Sequence, residues 1–364
     1  MKNTSVDKFF LGIVLSILSI GIVMFISASL GVLEKSRSVF YGILFNQVVL
    51  GLGLGLLGMY IASRVPYKFW KKYSFYFFLG SLILTALVFV PYLGFAHGGA
   101  KRWLSLGPLS FQPAEILKFT FIIYFASWLS FTKNKIQEFK WSILPLLGFL
   151  AVIALILFKQ PDTKSFMLIV VAAMSMLFVS GIKWKYIISI VVLLTAGLLI
   201  LAFFTPYLSG RIKTFLDPAR DLQGASYQVH QSLIAVGSGG LVGRGLGQSI
   251  QKFGYLPEPQ GDSIFAVIGE ELGFVGGVII IILFLAFCLR GLKIASNAPD
   301  IFSKMTVLGI IIILTAQSFL NIASIIGVFP LTGVPLVFIS HGGTSLMFSL
   351  IAVGIILNIS RAKK

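Results

Sequence analysis

Between Phe253 and Phe274 the chain reads FGYLPEPQGDSIFAVIGEELGF, and four of its twelve acidic residues fall there: Glu258, Asp262, Glu270 and Glu271. Pro257 and Pro259 stiffen the approach to Gln260, Gly261 and Asp262, and an apolar helix is predicted from Ser263. Ionisable side chains are costly at membrane depth, so carboxylates at the mouth of an apolar segment mark a site. Asp262 has two readings, a helix N-cap or a reactive carboxylate. Glu115 and Lys118 lie three apart, on one face of a helix. They either satisfy each other as a buried pair or serve a third group nearby. Carboxylates beside Arg and Lys in a cavity suit general-base chemistry on a hydroxyl, with cations neutralising a phosphate leaving group. They suit a proton-coupled transporter equally well.

The elements that hold these residues are membrane spans. A chain of 364 residues that is 57% hydrophobic and 11% charged is no soluble domain. It reads as one all-α polytopic membrane unit. Ten stretches reach or approach the roughly 20 apolar residues that a span needs. They are 9–28, 42–62, 74–92, 113–131, 142–159, 166–182, 186–205, 263–289, 303–326 and 337–359. Their continuity excludes a β-barrel, whose strands alternate. The net charge of +17 follows topology. Arg64, Lys68, Lys71, Lys72, Lys133, Lys135 and Lys140 fall on one side, and the short loops opposite hold only Lys35, Arg37, Lys101, Arg102 and Lys164. The positive-inside rule then places both termini in the cytoplasm, with the basic residues against anionic lipid head groups and no role in nucleic-acid binding. Cys288, the sole cysteine, can form no internal disulfide. In the second stretch, the Gly51/Gly55 spacing predicts close helix packing.

The outer segments carry the remaining signals. Residues 98–115 alternate turn formers with aromatics and predict an interfacial hairpin or short helix. Gln160-Pro161-Asp162 reads as a polar turn with a capping aspartate. The longest outer region, about 206–262, has a polar first part that includes Arg211, Arg220 and Asp221, and a glycine-rich part within Tyr227–Gly247. No Walker pattern is present, which argues against a nucleotide site and leaves an extracellular pyrophosphate cradle open. Pro330, Gly333 and Pro335 break the chain before Ser340 and His341. Broken backbone at membrane depth requires protein or a cavity around it. One outward-facing cavity is therefore expected, bounded by 98–118, the long loop, Asp262 and this last turn. The three histidines have no ligand spacing for zinc, and no G-x-S-x-G elbow occurs.

Several motifs together resemble the SEDS family of bacterial envelope proteins (shape, elongation, division and sporulation) over nearly the whole chain. Arg102-Trp103, Gly107-Pro108 and Phe111-Gln112-Pro113-Ala114-Glu115 are similar to its R-W, G-P and F-Q-P-S-E. Gln160-Pro161-Asp162 matches Q-P-D, and Tyr227 to Gly247 matches Y-Q…Q-S-L-I-A-x-G-S-G-G-L-x-G-x-G-L-G. Leu256-Pro257-Glu258, Asp262 and Glu270-Glu271-Leu272-Gly273 resemble L-P-E, the following D, and E-E-L-G. The resemblance implies ten transmembrane helices with a large extracellular loop before the eighth. It implies a peptidoglycan glycosyltransferase that polymerises lipid II on the outer face of the cytoplasmic membrane, closer to the division branch than to the elongation branch. It further implies Asp262 as the catalytic carboxylate and a cavity drawn from Glu115, Lys118, Arg102, Trp103, Gln112, Gln160, Arg211, Glu258, Glu270 and Ser340. Arg102, Lys118 and Arg211 are the candidates to meet leaving-group charge. Implied partners are lipid II and the nascent glycan strand, a class B penicillin-binding protein, divisome proteins and membrane lipids; the implied cofactor is a divalent cation, Mg or Mn. Gln260-Gly261 replaces the family's His-Thr, Ser263 its aromatic, and Thr163-Lys164 its Leu-Gly. A lipid-linked precursor flippase and a scaffold for the transpeptidase are the competing readings.

Overall fold

The computed structural model describes residues 5–97, 100–106, 109–217, 224 and 226–362. Gly98, Gly99, Gly107, Pro108, Arg220 and Asp221, named above, lie outside the described residues. Among the described residues, eight helical stretches are long and apolar enough to cross a membrane, and two shorter apolar helices bring the set to the ten expected. In order they are α1 (Lys8–Lys35), α2 (Arg37–Phe45) continuing through a π-helical stretch (Asn46–Gly53) into α3 (Leu54–Arg64), α4 (Tyr67–Ala86) and α5 (Pro113–Phe131). There follow α6 (Phe139–Lys159), α7 (Thr163–Val179) and α8 (Trp184–Phe204). After two outer helices, α9 (Pro206–Leu216) and α10 (Tyr227–Ser238), come α11 (Ile264–Ser296), α12 (Ile301–Ile325) and α13 (Gly343–Arg361). The chain is an integral membrane protein.

Burial sorts these helices into a centre and a lipid-facing ring. In α12, 72% of the apolar window is buried inside the protein, against 17% for the run Arg37–Arg64, so α12 is central and α2–α3 faces lipid. Phe121, Phe125, Ile310, Ile311, Val353 and Ile356 from α5, α12 and α13 are fully buried and fill the middle. With no hydrophobic drive between helices in lipid, close approach depends on small residues. Gly51, Gly55 and Gly58 bear this out, lying against Leu346, Leu350 and Ile351 of α13. From the other side, a Cβ on Gly354 would collide with the Met59 carbonyl. At the end of the bundle where α1 begins, Asp7 caps α1 by accepting from the Phe10 N–H and pairs with Arg290 of α11 at 2.7 Å.

Two features at the opposite end of the bundle depart from or sharpen the sequence reading. Of the hairpin and the short helix expected there, the chain takes the hairpin form: β1 (Gly94–His97), β2 (Ala100–Leu106) and β3 (Leu109–Phe111), antiparallel in that order. Phe95 lies opposite Trp103, and Leu104 opposite Phe111. The last span starts at Gly343 and not at 337. The Ser340 hydroxyl accepts the Leu336 N–H at 2.8 Å, while Gln47 donates to the Ser340 carbonyl and accepts the Gly342 N–H. These bonds satisfy backbone groups that a continuous helix would satisfy internally.

Replacing Gly354 with Ala should destabilise the protein by about 1–3 kcal/mol, the usual range for overpacking. Gly80, which has nothing within 4 Å of its built Cβ, should accept Ala with no loss. Thermal unfolding of both variants in detergent checks the contrast.

Candidate active site

The site rests on a support built by Glu270 and Glu271. Both are fully buried, about two turns into α11, and neither lines the cavity beside Asp262. Glu270 accepts from the Ser249 hydroxyl at 2.6 Å and from the Ile250 and Gln251 N–H groups. Glu271 accepts from Lys252 and Ser27, both at 2.7 Å, and from the Gly247 and Ser249 N–H groups. The Gly247 amide and those of the segment just after the glycine-rich part bind these carboxylates, while the Arg244 and Gly245 amides donate to the Glu270 and Glu271 carbonyls, so these amides are not free to cradle a pyrophosphate. Just beyond, Gly273 adopts φ 68°, a conformation that strains any side chain. That kink lets the Phe274 and Val275 N–H groups donate to Gly240 and Leu241 carbonyls of the loop.

Above this support lies one cavity with two adjoining lobes. The larger, about 510 Å³, is lined by Phe95, Trp103, Ser110, Gln112, Glu115, Glu258 and the turn from His341 to Ser345, among others. The smaller, about 180 Å³, is lined by Pro161, Thr163, Arg211 and Thr332. Arg102, Lys164, Asp262 and Gly333 line both, so Asp262 stands at their junction. The expected cavity is thus present, with the sheet as one wall. Arg102 fastens that wall to the α6–α7 turn by donating to the Gln160 carbonyl at 3.0 Å and to the Pro161 carbonyl. Gln112 adds a bond to Asp162, which caps α7 by accepting the Ser165 N–H.

Asp262 does not cap α11; Ser263 holds that position and makes no side-chain bond there. Its carboxylate instead accepts from Gln228 of α10 at 3.2 Å, and its carbonyl accepts from Asn321 of α12 at 2.7 Å. Burial raises the Asp262 pKa above the ordinary carboxylate value; Lys164 opposes this, Glu258 adds to it, and Arg211 and the Gln228 bond oppose it. Glu258 holds φ 47°, a rare conformation for a non-glycine residue and one that clusters at functional sites.

The structure brings Arg102, Trp103, Gln112, Glu115, Arg211, Glu258 and Asp262 to the cavity wall. It does not place Lys118, Gln160, Glu270 or Ser340 among the lining residues. Lys118 is buried behind Glu115, at 3.0 Å, and donates to Gln317 at 2.9 Å, so it faces no leaving group. Gln160 donates to the Thr85 carbonyl, and Ser340 shapes the last turn. Sequence reasoning missed Gln228, Lys164, Gln317 and Asn321. The last two, four apart in an otherwise apolar span, were the available signal.

Donor chemistry bears on the expected divalent cation. Among the described residues, no group of three or more His, Cys, Asp or Glu side chains is disposed to hold a metal ion. The smaller lobe has Arg102, Lys164 and Arg211 against the single carboxylate of Asp262, a formal excess of two positive charges. Lys164 also faces Asp162 and Glu115, so the charge around it is nearly balanced, and the residues at this lobe offer a divalent cation no cluster of free carboxylates.

The sequence profile of the family described as "Cell cycle protein", which groups FtsW, RodA and SpoVE, matches residues 8–364. The chain belongs to the SEDS family. This SEDS protein is 38% identical over 362 residues to stage V sporulation protein E of Bacillus subtilis, covering 99% of this chain and 98% of that one. It is 39% identical over 345 residues to the probable peptidoglycan glycosyltransferase FtsW of Geobacter sulfurreducens, covering 94% and 92% of the two chains. Among solved structures, a chain of a peptidoglycan synthase complex that coordinates polymerization and crosslinking aligns with TM-score 0.78 at 26% identity, covering 98% of each. Thermus thermophilus RodA shares the fold, with TM-score 0.70 at 24% identity over 98% of this chain and 97% of that one.

Replacing Lys252 with Met in this SEDS protein would leave Glu271 buried without its counter-ion. Removing one partner of a buried pair costs about 3–5 kcal/mol. Thermal unfolding should show that loss, and adding Glu271→Gln to Lys252→Met should recover part of it.

Proposed function

We infer that this protein is a peptidoglycan glycosyltransferase that polymerises lipid II on the outer face of the cytoplasmic membrane, serving septal wall synthesis in division. One observation carries the reading: a carboxylate of raised pKa stands between an aromatic and amide-lined lobe and a cationic one. Sugars suit the first surface and phosphates the second. FtsW-type relatives support the activity, and the synthase complex supports assembly with a class B penicillin-binding protein. Both termini lie in the cytoplasm by the positive-inside rule, which puts the cavity outside.

In this mechanism Asp262 is the general base. It takes the proton from the 4-hydroxyl of the acceptor's terminal GlcNAc as that oxygen bonds to the anomeric carbon of the donor. The bond from that carbon to the phosphate oxygen breaks, its electron pair stays on the phosphate, and undecaprenyl diphosphate leaves. Trp103, Phe95 and Gln112 offer surface to the acceptor sugar, and Arg102 and Arg211 meet the departing charge. Asn321 and Gln228 position Asp262, the first through its backbone and the second through its carboxylate. Orientation of this kind supplies much of the rate in a bimolecular transfer.

Purified protein with its transpeptidase partner should polymerise lipid II, and folded Asp262→Asn should give no polymer. Equal polymer from both would remove Asp262 as the base. The base must be ionised, so the rate should rise with pH through a pKa above the ordinary carboxylate value. A bond from Gln228 favours the ionised form. Gln228→Leu should therefore move that rise to higher pH, and an unshifted profile would argue against the positioning role.

A further inference from the structure

We propose that Glu258 works through Asp262: a strained turn holds its carboxylate on the same cavity wall, and that neighbouring negative charge makes Asp262 a stronger proton acceptor. This rests on the polymerase reading of the cavity, and within it Glu258 is a positioning residue. Its backbone carries the argument. At φ 47° it lies in the left-handed region, where a side chain brings strain and glycine does not. Pro257 and Pro259 on either side leave it little room to relax. The same conformation closes the turn: the Glu258 carbonyl accepts the Gly261 N–H at 2.9 Å and the Ser263 N–H at 3.4 Å. Glycine at 258 would close that turn without the strain, so the fold itself does not call for a carboxylate there.

The carboxylate stands where its charge reaches the base. Glu258, Gly261 and Asp262 line the larger lobe together, and Glu258 is exposed on its wall. The Gln260 amide donates to Glu258 Oε2 at 3.3 Å and steadies it. Other groups act on Asp262 from the neighbouring elements: Lys164 from α7, Arg211 from α9 and Gln228 from α10. Arg102 of β2, Glu115 of α5 and His341 of the last turn line the same lobe. Burial does most to raise the Asp262 pKa; Lys164, Arg211 and the Gln228 bond oppose the rise, and Glu258 adds to it. A like charge nearby disfavours the ionised carboxylate, which then takes up a proton more readily. Glu258 thus returns basicity that the two cations and Gln228 remove.

The test is the pH profile of lipid II polymerisation by the full chain with its transpeptidase partner. Without the Glu258 charge Asp262 ionises at lower pH, so Glu258→Gln should move the rise in rate to lower pH, opposite to Gln228→Leu. The plateau rate should fall about threefold or more with KM within about twofold of wild type, and Glu258→Asp should recover part of it. Glu258→Gly should share that shifted profile yet unfold at a higher temperature than wild type in detergent, because the strain is gone. An unshifted profile, a change in KM alone, or a lower unfolding midpoint for Glu258→Gly overturns the proposal. A second readout needs no turnover. Dicyclohexylcarbodiimide modifies protonated carboxyls, and mass spectrometry should find Asp262 modified up to a higher pH in wild type than in Glu258→Gln. Polymer from wild type with equal modification in both would sink this inference and leave the polymerase standing. A difference in modification with no polymer from wild type would keep the coupled carboxylates and remove the polymerase.

Discussion

Glu271 and Lys252 lie 2.7 Å apart with no solvent exposure on either side chain. Taking two charges out of water is repaid only when the remaining lone pairs and protons are bonded as well. Here they are. Ser27 reaches Glu271 from α1, the Gly247 and Ser249 amides reach it from the loop, and the Lys252 ammonium also meets Ser27 and the Gly247 carbonyl. Glu270 then binds the next loop amides. One short acidic pair thus joins three segments far apart in sequence, and the amides of a glycine-rich loop have no need of water. The same loop sets the direction in which the chain enters Asp262.

A second polar column works from the opposite side. Gln317 and Asn321 are one turn apart on α12, and their amides bond the Pro335 and Val334 carbonyls and the Asp262 carbonyl. Irregular backbone from 326 to 342 can therefore sit among helices, as unsatisfied groups there would each cost several kcal/mol. Gln317 also receives Lys118, so the Glu115–Lys118 pair is tied into the same column. Asp262 is held by its own carbonyl from below while its carboxylate stays in the cavity. A carboxylate fixed this way has little freedom left to lose when a ligand arrives.

The spans were legible because hydropathy is a sum over about 20 residues and tolerates local irregularity. Asp262, Glu115, Glu258 and the cavity around them were legible because charge is scarce in such a chain. The sheet was harder: β2 and β3 are seven and three residues long, and their pairing is stabilised by contacts between strands that no single window contains. Glu270 looked like a cavity residue because a carboxylate early in an apolar helix has two solutions, facing water or facing amides. The partner amides of Ile250 and Gln251 are about 20 residues away, and spacing alone does not reveal them. Lys164 was read as a lysine just outside the membrane, since its place between two lobes depends on where α9 and the Gly333 turn fall.

The same packing separates catalysis from transport. A transporter must open its site to each side in turn, so the layer beneath the site has to part. Beneath Glu115 the layer is formed by α5, α12 and α13, where Phe121, Ile122, Phe125, Ile310 and Val353 have no exposure. Crossing it would also break Lys118 from Gln317 and leave a buried ammonium without that acceptor. The cavity, by contrast, is walled by the sheet, α9, the α6–α7 turn and broken backbone, all at one end of the bundle. Ligands that meet there need approach from that end alone, and a junction carboxylate between two differently lined lobes is an arrangement for joining two ligands. Passing one ligand through the protein would call for a path that the closed α5–α12–α13 layer does not contain.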